Sequence, residues 1–116
     1  MNADAVIEQA IRRGEREGLD ALGPAELVIF AISEAEVYCD MDGIDSLLER
    51  YGTGTIALFA RAFSAVGAIE IANALQAVAS SADSVPEELL SHANRLITER
   101  HQYGYESIRA FVERGT

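Results

Sequence analysis

The sequence predicts an all-α fold, a single-domain bundle of five to seven helices with a central antiparallel helical hairpin. Three observations predict it. Apolar residues recur at helical spacing along most of the chain. No segment sustains the apolar–polar alternation of a strand, and turns of the Asn-Gly type are missing. Gly and Pro fall between the periodic segments, where helices start and stop. The chain has 116 residues, 49% of them hydrophobic, which favours one domain with a real core. A domain of this size buries roughly two thirds of the surface of its unfolded chain, so it needs no disulfide or metal staple. There is no Trp, so alanine and small aliphatic residues carry the packing.

The first helix is expected over 3–16, with Val6, Ile7, Ala10 and Ile11 in period, Asn2 or Asp4 as cap and Gly18 as terminator. The second enters through Gly23-Pro24 and runs to about Asp40. Proline fits the first helical position, and Glu26 lies in the first turn, where the helix dipole favours a negative charge. A short helix over 42–51 follows, capped by Asp42 and apolar through Ile44, Leu47 and Leu48. Gly52-Thr53-Gly54 reads as a turn. Residues 55–66 are apolar on nearly all sides, which marks a central buried helix. Gly67 breaks it, and 68–79 resumes with Ile69, Ala72, Leu75 and Val78 as the second arm of the hairpin. After a polar connection over 80–85, Ser84 is expected to cap a helix entered through Pro86. Tyr103-Gly104-Tyr105 is expected to bend it, before a last helical stretch over 107–114.

The charge is uneven. The net formal charge is -10, and every base is arginine. Residues 1–49 hold twelve acids and three arginines, whereas 50–116 hold seven acids and six arginines. From Glu17 to Glu49 there are nine acids and no base. Glu26, Ser33, Glu36 and Asp40 are spaced seven, three and four apart, which places them on one helix face. Glu34 lies to one side, and Asp42, Asp45 and Glu49 carry the run into the next helix. Residues four apart on a helix rise about 6 Å, near the spacing of successive phosphates on one nucleic-acid strand. Such a surface repels nucleic acid and anionic membranes and attracts basic proteins. The plain reading is a solvated face kept for solubility. The functional reading is a docking surface made of Glu26, Glu34, Glu36, Asp40, Asp42, Asp45 and Glu49, uncompensated by arginine.

No recognisable chemistry stands beside it. Cys39, the lone cysteine, excludes an internal disulfide and reads as a small buried apolar residue in a reducing compartment. His92 and His101 are too far apart in sequence to share a helix face for a metal. Asp40-Met41-Asp42-Gly43-Ile44-Asp45 resembles the start of a calcium loop, but its Gly comes at the fourth position and its twelfth position is Tyr51. Gly52-Thr53-Gly54 lacks the lysine of a phosphate loop. The expectation is a non-enzyme with no metal and no cofactor. The start of the chain has no basic segment followed by an apolar run, and no stretch is long enough to span a bilayer, so a cytoplasmic location is expected.

Residues 34–78 carry a family resemblance. They run from an acidic helix end through Asp42-Gly43-Ile44, then an alanine-rich helix, then Val66-Gly67-Ala68 and a second alanine-rich helix. This resembles the DNA-mimic protein family of small, acidic, all-helical bacterial domains. In that family an Asn-Gly-Gly-aromatic turn stands where this chain has Asp42-Gly43-Ile44, and an Ile-Gly-Ala step stands where it has Val66-Gly67-Ala68. The turn departs from the pattern by one Gly and by Ile for the aromatic. The resemblance implies an all-helical protein, compatible with a homodimer, whose carboxylates imitate phosphates and occupy a DNA-binding protein. Two alternatives stand beside it: an immunity protein that neutralises a toxin such as a basic nuclease, and a helical scaffold domain.

Overall fold

Asn2 opens the first helix, its Oδ1 accepting the Ala5 N–H at 2.8 Å. The structure is a computed structural model that describes residues 2–81 and 84–115. Six α-helices follow in order: α1 Ala3–Glu17, α2 Pro24–Met41, α3 Ile44–Ala65, α4 Ile69–Ala79, α5 Glu87–Thr98 and α6 Tyr105–Arg114. A 3-10 turn, Leu19–Ala21, links α1 to α2. No strand occurs among the described residues. The Cα radius of gyration is 13.4 Å, and a single globular domain of this length is expected at roughly 13 Å.

The expected hairpin is α3 and α4, which share the most extensive helix–helix contact in the molecule. Its corner is Val66-Gly67-Ala68. Ala68 N–H donates to the Phe63 carbonyl at 3.0 Å and Gly67 N–H to the Ser64 carbonyl at 3.1 Å. Together they satisfy carbonyls that the end of α3 would otherwise leave bare. This closure needs a left-handed residue, and Gly67 supplies it at φ 88°. The arms bury Ile56, Phe59, Phe63, Ile71, Leu75 and Val78 completely. On the other side of α3 lies α2, whose Ile29, Ile32 and Ala35 are also inaccessible. The end of α1 crosses α2 so closely that a Cβ on Gly14 would lie 2.3 Å from ring carbons of Phe30.

Several boundaries differ from expectation. Gly43, not Asp42, precedes α3, at φ 96°. Its first N–H, on Ile44, is satisfied by Asn94 Oδ1 from α5 at 3.0 Å. A cap supplied from 50 residues away leaves no local trace. The turn expected at 52–54 shrinks to one residue: Gly52 alone leaves helical geometry, at φ 82°, and α3 continues across the kink. Pro86, not Ser84, precedes α5. Residues 82 and 83 of the expected polar connection lie outside the described residues. The bend expected at 103–105 is a full break, with α5 ending at Thr98 and α6 starting at Tyr105.

Candidate functional site

The acidic run divides into two groups. Glu26 folds back onto its own helix start, accepting the Gly23 N–H at 3.2 Å, and receives Arg13 Nη1 from α1 at 2.7 Å. It joins the ends of α1 and α2. Glu34 accepts the Tyr51 hydroxyl at 2.5 Å. Tyr51 in turn packs edge-on against Tyr38 and Phe59. Burial, and then the Glu34 carboxylate, push the Tyr51 hydroxyl pKa above its usual value.

Glu36 and Asp40, one turn apart, share Arg100. Its Nη2 and Nη1 meet the Asp40 carboxylate oxygens at 2.8 and 3.1 Å, and its Nε lies 3.2 Å from Glu36. The guanidinium hydrogen bond holds the Asp40 carboxyl below its usual pKa. Glu36 also accepts the Tyr103 hydroxyl at 2.7 Å. Tyr103 is buried and packs edge-on against Phe63, with ring centroids 5.3 Å apart. Its pKa is raised, first by burial and then by Glu36.

The expectation of one uncompensated face is therefore corrected for Glu26, Glu34, Glu36 and Asp40. The first three are half-buried. Glu26, Glu36 and Asp40 are matched by arginines from α1 and from the loop after α5, and Glu34 is held by a tyrosine. Glu26 also stands about 15 Å along the helix from Glu36 by rise alone, so the predicted face is not one cluster.

Asp42, Asp45 and Glu49 form the second group. All three are exposed. Among the described residues none has an ion pair or hydrogen bond to a side chain. Asp42 closes α2, and Asp45 and Glu49 lie one turn apart on α3. Asp45 also lines a shallow recess of about 180 Å³ with Gly43, Ile44, Glu87, Leu90, Ser91 and Asn94. The fold thus brings Glu87, from the acidic first turn of α5, beside Asp45 across 42 residues of sequence. Sequence reasoning left Glu87 out of the surface. Its only signal was the pair Glu87-Glu88 directly after Pro86, which reads equally well as an ordinary helix start.

The cysteine and His101 have structural surroundings. Cys39 is buried, and burial pushes its thiol pKa up to about 12, so it is a protonated packing residue. His101 Nε2 pairs with Glu70, tying the loop after α5 to the start of α4. Gln102 Oε1 accepts the Glu70 N–H at 2.9 Å in the same place. Among the described residues no three His, Cys, Asp or Glu side chains are grouped to hold a metal ion. Among the described residues no helix is long and apolar enough to cross a membrane. No family model, curated protein or solved structure matches the chain.

Proposed function

We propose that this chain is a non-catalytic binding protein that presents carboxylates at the α2–α3 junction to the basic surface of another protein, in the manner of a DNA mimic. One observation carries the reading. Asp42, Asp45 and Glu49 stay exposed and, among the described residues, unpaired, while Glu26, Glu34, Glu36 and Asp40 are tied to arginine or tyrosine. Like charges held this close repel, and a basic partner relieves that repulsion. Asp45 and Glu49, about 6 Å apart along the helix axis, repeat the spacing of neighbouring phosphates. In the recess beside them, Asn94 is already committed to capping α3.

Affinity capture from lysate, compared with an Asp42→Asn, Asp45→Asn, Glu49→Gln variant, tests the reading. DNA-binding proteins should be recovered at about 0.05 M salt and lost at about 0.5 M, where charges are screened within a few ångströms. The variant should recover none. Capture that is indifferent to salt and to the triple substitution would remove the carboxylate surface from the account. Recovery of one basic nuclease in place of DNA-binding proteins would move it to the immunity reading.

A further inference from the structure

The outer face of α2 is covered over only half its length. Phe30, Glu34, Val37 and Met41 are spaced four, three and four apart, so they form one stripe along the helix. The end of α1 lies over the Phe30 end of that stripe, with Gly14 against the ring. Gly18, at φ 89°, then turns the chain away. Beyond that point nothing among the described residues takes the place of α1. Val37 is 49% exposed and Met41 76%, the largest exposure of any large apolar side chain described. A recess of about 400 Å³ opens where α1 departs, with Leu19, Phe30, Glu34 and Tyr51 in its walls. The uncovered stripe from Glu34 to Met41 is about 10 Å long, two helical turns.

We infer that this trough receives an amphipathic helix of a basic partner protein, laid along α2 end to end with α1 and anchored on Val37 and Met41. The inference rests on the reading above and names the kind of partner for that same surface. Ridges spaced three and four residues apart accept the grooves of another helix at about 8–10 Å between axes. Charge selects which helix. Glu34 and Asp40 flank Val37, and Asp42 follows Met41. Arg100 offsets Asp40, and at the recess Arg16 and Arg50, the latter stacked over Tyr51, balance Glu15 and Glu34. Asp42, beside Met41, keeps no partner among the described residues, and the chain as a whole carries a net charge of -10. A second copy of this chain would set the same carboxylates against one another, and an anionic membrane would be repelled. A helix with one apolar face and lysine or arginine on its flanks meets both features together.

The test uses the whole chain and three labelled peptides: an 18-residue Leu/Lys amphipathic helix, its scrambled counterpart without an apolar face, and a lysine-only peptide. Fluorescence anisotropy should show the amphipathic helix binding about tenfold more tightly than the scrambled one. Val37→Ser with Met41→Ser should abolish that advantage and leave the weak, salt-sensitive binding of all three. Both positions are exposed, and a thermal melt verifies that the variant folds. An amphipathic helix that binds the double variant as tightly as the parent overturns this inference. If the acidic triple variant still loses binding, the carboxylate reading survives it. Peptide binding unchanged by the acidic triple variant sinks that reading as well. Concentration-dependent dimerisation abolished by Met41→Ser would assign the trough to a second copy and also overturn the inference.

Discussion

Arg100 grips Asp40 with both Nη atoms, at 2.8 and 3.1 Å, across 60 residues of sequence. It does so from a left-handed backbone, φ 54°, two residues beyond Thr98, the last of α5. That position closes the helix through Arg100 N–H to the Ile97 carbonyl and His101 N–H to the Leu96 carbonyl, both at 3.0 Å. Glycine is the usual residue there. Arginine accepts some backbone strain and in return fastens α2 to the loop after α5. Two variants separate the effects. Arg100→Ala should destabilise by about 1 kcal/mol or less, because the pair is partly exposed and screened. Arg100→Gly loses the same pair but relieves the backbone, and should unfold at a higher urea concentration than Arg100→Ala.

Tyr103 supplies the buried half of this fastening. Removing its hydroxyl with Tyr103→Phe leaves Glu36 without a short hydrogen bond at the edge of the core. The expected cost is about 1–2 kcal/mol, read as a lower urea midpoint with an unchanged slope. In a double-mutant cycle with Glu36→Gln, the two losses should be less than additive, since they share one contact.

The pH dependence follows from the same groups. The raised Tyr51 and Tyr103 hydroxyls contribute stability that is complete below the unfolded tyrosine pKa of about 10. It is lost as pH rises through their folded values. The depressed Asp40 carboxyl contributes above its unfolded pKa of about 3.9 and is lost as pH falls through its folded value. Urea midpoints should therefore be flat between these limits and fall on either side. Tyr51→Phe should flatten part of the alkaline arm.

The two helical glycines Gly14 and Gly54 should respond in opposite directions to alanine. At Gly14 the new methyl would meet the Phe30 ring at 2.3 Å, and the ring is held in the core. Gly14→Ala should cost about 1–3 kcal/mol. At Gly54 a Cβ meets nothing within 4 Å. Gly54→Ala should stabilise by about 0.5–1 kcal/mol through helix propensity and a less flexible unfolded chain. Thermal melts of the two variants decide this.

Much of the fold was legible because its signals are local. Pro24 at the start of α2, Gly67 at the corner of the hairpin and the apolar periods of α3 and α4 act within a few residues of themselves. The partners of the acids were not legible. Arg100 and Tyr103 lie 60 and 67 residues from the carboxylates they bind, and periodicity carries no information about such pairs. Asn94 capping α3 from α5 was hidden for the same reason. Spacing did place Glu36 and Asp40 on one face, but what covered that face came from the far end of the chain.

The central claim is that the acidic run has a structural part and a free part. A crossed comparison tests it, with each variant measured for its melting temperature and for its affinity toward an arginine-rich peptide at low salt. Glu26→Gln with Asp40→Asn should melt several degrees lower and keep most of its affinity. The triple variant Asp42→Asn, Asp45→Asn, Glu49→Gln should melt close to the parent, since Asp42 opposes the C-terminal dipole of α2 while Asp45 suits the N-terminal dipole of α3, and should lose its affinity. The reverse pattern, with affinity following Glu26 and Asp40 and stability following Asp42, Asp45 and Glu49, would contradict the division on which the proposed function stands.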